Sequence, residues 1–226
     1  MATPGVRLTR RGRAVVVAVA IVVLVGVTTV VVRALTPPDC TLRTDGHTVD
    51  LGQHAAERTA AAAATAVLDG SGSGLGRAAL SCRHGGATTT ASDSLDAHGL
   101  TARAEAVRTD LLGRFGRLSL GGYAPGGVHT GHMPGSAHYE GRAIDVFFRP
   151  ADAANKARGW ALAQYLVASA VRFSINTVIF DDQIWTADKA SDGWRTYHVP
   201  DPQNAHNAAE RAILEHRDHV HVDVAD

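Results

Sequence analysis

The chain has 226 residues, of which 45% are hydrophobic, 19% charged and 5% aromatic, the composition of an ordinary globular protein with one principal domain and additions to it. Its 22 basic and 22 acidic residues are unevenly placed: five arginines stand at or before Arg33 and every acidic residue follows it, leaving 17 basic against 22 acidic groups in the remainder. A mildly acidic body of this kind argues against nucleic acid as a partner.

The first expected element is "AVVVAVAIVVLVGVTTVVV", Ala14 to Val32, which carries no charge. As a helix it would reach about 28 Å, close to the ~30 Å hydrocarbon thickness of a bilayer. Arg7, Arg10, Arg11 and Arg13 precede it without an acidic residue, which assigns residues 1–13 to a basic cytoplasmic tail. Arg33 interrupts the place where a small-residue cleavage site would lie. Residues 14–33 are therefore expected to form a transmembrane helix or signal anchor. The chain is read as a single-pass cell-membrane protein, partnered with the membrane through that helix, with an extracytoplasmic C-terminal domain.

Residues 34–82 read as a small N-terminal module. "CTLRTDGHTVDLGQ" alternates like a hairpin around Asp45-Gly46, and "HAAERTAAAAATAVLDG" is an alanine-rich helical run stopped by Gly70. Cys40 and Cys82 are the only cysteines. In an oxidising compartment they suggest one disulfide, two free buried thiols being the alternative. Residues 83–99, rich in Gly, Ser and Thr, read as a linker.

The second domain spans 100–226. "LTARAEAVRTDLLGRFG" has helical spacing, "RLSLGGYAPGG" reads as a strand and glycine turn, and "GRAIDVFFRP" as a strand. A helix over "ANKARGWALAQYLVASAVR", a strand pair or bent strand over "INTVIFDDQIWT" and a last strand over "DHVHVDV" follow. Strands and helices mix without strict alternation. The expected fold class is α+β: a mainly antiparallel sheet with flanking helices carrying a metal cleft, preceded by the transmembrane helix.

The last strand carries the most legible chemistry. Alternation puts His219, His221 and Asp223 on one face and Val220, Val222 and Val224 on the other. Alone, an HxH is weak evidence, and two solvent-facing histidines on an edge strand explain it more often than a site does. "GHMPGSAHYEGRAIDVFF" adds His138 in a glycine-rich turn and Asp145 seven residues later. Two histidines and a carboxylate suit a catalytic zinc ion that keeps its fourth position open.

"SAHYEGRAID" is similar, position for position, to the SxHxxGxAxD signature of the zinc D-Ala-D-Ala metallopeptidases. The terminal "HVH" resembles the HxH of the wider group that includes lysostaphin-type endopeptidases and the hedgehog signalling domain. The resemblance implies one Zn2+ held by His138, Asp145 and His221, with His219 beside it as the catalytic proton-handling group. It gives Ser136 a role in orienting the turn or donating a hydrogen bond, and Gly141 a tight turn after His138. Arg142 falls at a variable position and is expected to be solvated. The implied activity is cleavage of an amide bond in a peptidoglycan stem peptide or another extracytoplasmic peptide.

The chain also departs from that pattern. The arginine usually found shortly before the first ligand histidine is missing, and Arg117 is a substitute for substrate binding by position only. In place of an ExxWH glutamate there is Glu215, read as a helix-face residue, and Glu140 is read as solvent-facing. His129, His132, His206 and His216 are expected bystanders, His132 lining the cleft. Trp194 and Tyr197 are candidates for a substrate wall, Trp185 reads as core, and Asp223 either as orienting a ligand imidazole or as a surface carboxylate. Complete ligands favour a hydrolase; the missing arginine and glutamate favour a non-catalytic peptidoglycan- or peptide-binding domain that retains the metal.

Overall fold

The structure, a computed structural model, describes residues 39–199 and 207–226. Strands β1 (Cys40–Thr44) and β2 (His47–Leu51) form a hairpin across Asp45 and Gly46, whose φ values are 45° and 81°. Left-handed backbone at both turn residues matches the twist of the strands it joins. Strand β3 (Leu80–Cys82) pairs on the other side of β1 and sets Cys82 opposite Cys40, and these two cysteines are disulfide-bonded. The bridge spans 42 positions of sequence, and the loop entropy it removes from the unfolded chain is about 4 kcal/mol.

Between β2 and β3 runs helix α1 (Gln53–Leu68), whose Ala56, Ala60 and Ala64 recur every four residues as a buried stripe. Small side chains let it lie close against helix α3 (Ala153–Ala168). Every residue of α3 from Gly159 to Ala168 is buried, because α3 is covered on one side by α1 and β3 and on the other by the large sheet. Gln164, fully buried in α3, accepts from the Leu80 N–H at 2.8 Å and donates to the carbonyls of Gly76 and Trp160. A buried amide with all these partners stitches the small sheet to the helix without leaving a polar group unsatisfied.

The large sheet comprises β4 (Ser119–Gly121), β5 (Ala143–Phe147), β6 (Ile175–Phe180), β7 (Gln183–Thr186), β8 (Arg195–Thr196) and β9 (His219–Val224). Its order is β4-β5-β9-β6-β7-β8, and every neighbouring pair is antiparallel. The last strand in sequence thus lies in the middle, between β5 and β6. Val220, Val222 and Val224 join the core that holds α3, Ile144, Val146 and Val178. Helix α2 (Ala102–Phe115) buries Ala104, Val107 and Leu111 against the same core, and the short helices α4 (Ala170–Phe173) and α5 (Ala208–Leu214) complete the chain.

Two expectations are corrected. The described residues form a mixed α/β architecture with two antiparallel sheets, three- and six-stranded, rather than the single mainly antiparallel sheet of the expected fold class. No helix among the described residues is long and apolar enough to cross a membrane. The longest, α1 and α3, have 16 residues, about 24 Å of rise, and α1 carries Glu57 and Arg58. The expected span at 14–33 lies outside the described residues, and the single-pass membrane localisation built on it is withdrawn.

The stretch 83–99, expected as a linker, contains neither helix nor strand. It is nonetheless held closely: a Cβ on Gly85 would come within 2.5 Å of the Trp185 ring, and the Gly86 N–H donates to the Ile175 carbonyl.

Candidate metal centre

The site is assembled from three segments. The first is a one-turn 3-10 helix, Ala137–Glu140, begun by Ser136, whose hydroxyl accepts from the His138 N–H, and ended by Gly141 at φ 65°. A left-handed residue stops the turn at once and lets β5 start at Ala143. The second is β5, which carries Asp145. The third is β9, paired so that Asp145 stands opposite His221, and Phe147 opposite His219. Directly opposed residues on neighbouring strands share a face, so the two chelating side chains meet on the side of the sheet away from the valines.

There the polar atoms converge. His138 Nε2 lies 3.1 Å from His221 Nδ1 and 3.2 Å from Asp145 Oδ1, and His221 Nδ1 lies 3.2 Å from the same oxygen. The remaining ring nitrogens are anchored. His138 Nδ1 donates to the Gly122 carbonyl at 2.7 Å, which leaves Nε2 with its lone pair towards the cluster. His221 Nε2 faces Asp223 Oδ2 at 3.4 Å. Gly122, at φ 80°, makes room: a Cβ there would come within 2.3 Å of the His138 ring and 3.0 Å of Asp145 Oδ2.

His138, Asp145, His219, His221 and Asp223 are all buried. Burial pushes the Asp145 carboxyl up, but the His138 and His221 imidazoles beside it outweigh this and hold the group well below the usual carboxylate range. Burial likewise disfavours a charge on His221, yet Asp145 and Asp223 on either side overcome this, and its pKa is pushed up to about 9. The pocket therefore favours a positive charge at its centre.

These residues fit a metal ion. Ligand atoms around a tetrahedral ion with bonds of about 2.0 Å stand roughly 3.3 Å apart, and two imidazoles on one such ion have ring centres roughly 5 Å apart. The triangle has sides of 3.1–3.2 Å, and the His138 and His221 rings are 4.9 Å apart. His132 also brings a ligand atom within 4.8 Å of those of His138 and Asp145, and the three form a group that could hold a metal. Its ring, however, is stacked on His138 at 4.0 Å and 21°, too close for both to point at one tetrahedral ion. The tighter set is His138, Asp145 and His221.

His219 stands at the edge of this triangle, its Nε2 3.9 Å from Asp145 Oδ1. Its Nδ1 donates to Asp218 Oδ1 at 2.7 Å, while Asp218 Oδ2 accepts from Arg149 Nε at 2.6 Å. Burial raises the Asp218 pKa, but these two bonds prevail and lower it. Sequence reasoning passed over Asp218 and Arg149; the signal for Asp218 was its place directly before the HxH. It also set aside His216, which is half-buried with its ring 4.6 Å from His219 and 5.6 Å from His221, its pKa held well below the ordinary value first by desolvation and then by those two neighbours.

Other expected residues are placed elsewhere. Ser136 caps the turn. Arg117 is exposed just before β4 and makes no hydrogen bond or ion pair among the described residues. Trp194 donates to the Leu80 carbonyl, packs edge-on against Trp160 and lines a cavity of about 300 Å3 with Ser81 and Arg83, apart from the histidines. Trp185 is fully buried, and Tyr197 meets His216 edge-on at 5.1 Å. Arg142 is tied down rather than solvated: it donates to the Val224 carbonyl and pairs with Glu140 and Asp226. Glu215 ends α5 and pairs with Arg217, and His206 lies outside the described residues.

The fold and the cluster together define a mixed α/β protein with a buried two-histidine, one-carboxylate group suited to a metal. The family model for the VldE C-terminal domain matches residues 96–208, half of the chain, and the chain belongs to that family. The match includes His138 and Asp145 and ends before β9, which carries His219 and His221. No curated protein and no solved structure matches the chain.

Proposed function

We propose that the protein is a zinc-dependent hydrolase that cleaves an amide bond in a peptidoglycan stem peptide. The observation that carries this reading is the triangle of His138 Nε2, Asp145 Oδ1 and His221 Nδ1, with sides of a tetrahedral ligand set and each histidine anchored through its other nitrogen. The likeness of "SAHYEGRAID" and "HVH" to the zinc D-Ala-D-Ala metallopeptidases supports it. A zinc ion held by these three side chains would supply an acidified water and polarise the scissile carbonyl.

The chain's own residues do the rest. Asp218 fixes the His219 ring with Nδ1 protonated, so Nε2, on the side of Asp145, is the atom that takes up a proton and returns it to the departing amine. Arg149 keeps Asp218 ionised and in place. Asp223 orients His221, and Gly122 orients His138. A second reading, a peptide-binding domain that keeps the metal, is favoured by one observation: the ligand side chains are about nine-tenths buried or more, which restricts access to the centre.

Zinc analysis of the purified protein beside His138→Ala and Asp145→Ala, followed by digestion of purified peptidoglycan with wild type and His219→Ala, tests both. One equivalent of zinc more in wild type than in His138→Ala or Asp145→Ala, with new amino termini released by wild type and not by His219→Ala, is the expected result. Folded wild type without zinc removes the proposal. Zinc without product from either protein replaces it with the binding reading.

A further inference from the structure

We propose that Asp96, His98 and Glu105 form a second divalent-cation site, separate from the first, that braces the support of His138. Asp96 Oδ1 accepts from the N–H groups of His98 and Leu100 at 2.8 and 2.9 Å, which turns Oδ2 towards His98 Nδ1 at 3.4 Å. Glu105, in the first turn of α2, commits Oε1 to Arg108 and Thr109. Its Oε2 faces the same His98 nitrogen at 3.4 Å, is shielded from solvent and has no hydrogen-bond partner.

One ligand atom from each residue thus lies within 4.8 Å of the others. Arg108, the cation nearest to hand, is spent on Oε1 and on the Tyr123 hydroxyl. A single imidazole N–H cannot serve two carboxylate oxygens fully, and a shielded, unpartnered carboxylate oxygen is costly. A divalent ion satisfies all three atoms together. One imidazole and two carboxylates suit a zinc-type ion, and the side-chain exposure of His98 and Asp96, 44% and 32%, leaves room for water as the remaining ligands.

The site is coupled to the first through the backbone. The Thr101 N–H donates to the Gly141 carbonyl at 2.9 Å, and a Cβ on Gly141 would come within 2.6 Å of the Gly99 carbonyl oxygen. The loop between Asp96 and Thr101 therefore rests directly on the residue that ends the His138 turn. An ion here would hold that loop to α2 and stiffen the turn from below.

The two centres share no residue, so zinc stoichiometry of the full chain separates them. Wild type is expected to bind two equivalents, His98→Ala and Glu105→Gln one each at high affinity, and the His138→Ala/Asp145→Ala double variant one, which is lost on adding His98→Ala. Circular dichroism establishes that each variant is folded. If His98→Ala binds as many ions as wild type and as tightly, the second site does not exist. If wild type binds one ion and His98→Ala none, the second site stands and the first-centre reading falls instead.

Discussion

Asp145 and His221 face each other across neighbouring strands, with Oδ1 3.2 Å from Nδ1, and neither reaches the other without the exact pairing of β5 to β9. Asp145 supplies the only carboxylate of the triangle. Asp145→Asn keeps the shape and an accepting oxygen but removes the charge that compensates a cation. Zinc affinity, measured by chelator competition, is expected to fall by roughly 100-fold or more, with the circular dichroism spectrum unchanged. Wild-type affinity in that variant would mean the ion is held elsewhere.

Gly122 is the floor on which His138 rests. Gly122→Ala would force a Cβ to within 2.3 Å of the ring at a φ of 80°. Left-handed backbone alone costs about 1–2 kcal/mol for an ordinary residue, and the clash with a buried ring adds to it. Gly126, at φ 82°, has nothing within 4 Å of the same position. Gly126→Ala should therefore show only the backbone cost in urea unfolding and retain zinc, whereas Gly122→Ala should unfold earlier and lose the zinc equivalent held by His138.

Asp218 touches His219 and not the ligand triangle. Asp218→Asn is expected to leave zinc content unchanged and to lower hydrolysis by about 100-fold or more, the usual scale of a general acid or base that is no longer held in place. Activity is read on peptidoglycan fragments and metal by elemental analysis. Loss of zinc in this variant would assign Asp218 to metal retention instead.

Away from the site, Asp110 on α2 accepts from Tyr165 and from Arg172, the latter at 3.0 Å, and Arg114 lies 3.5 Å away. Burial pushes its carboxyl up, but these donors outweigh it, and its pKa falls below the ordinary 3.8. A carboxyl that ionises more readily folded than unfolded stabilises fully above the ordinary value, and the benefit fades as pH drops through the lower folded value. Asp110→Asn should cost about 1–2 kcal/mol at pH 7 and progressively less below pH 3.8. A urea-midpoint difference that does not shrink in acid would show that packing, not charge, holds this corner.

Much of the fold was legible because its signals are local. Asp45-Gly46 between alternating strands, the alanine run of α1 and the valine–histidine alternation of β9 each depend on residues a few positions apart. The pairing of the only two cysteines was equally open to inference. The sheet order was not, since nothing in "DHVHVDV" says that the last strand lies between β5 and β6 rather than at an edge.

For the site, the sequence by itself determined which residue types were available: His138 and Asp145 in one short segment, His219 and His221 in another. Tertiary structure alone decided their partners. The register that puts Asp145 opposite His221, the carbonyl of Gly122 under His138 and the Asp218–Arg149 pair behind His219 join segments 16 to 76 residues apart. Spacing along a strand says which face a side chain takes; it carries no information about which distant backbone will close on it, because that depends on the packing of the whole sheet.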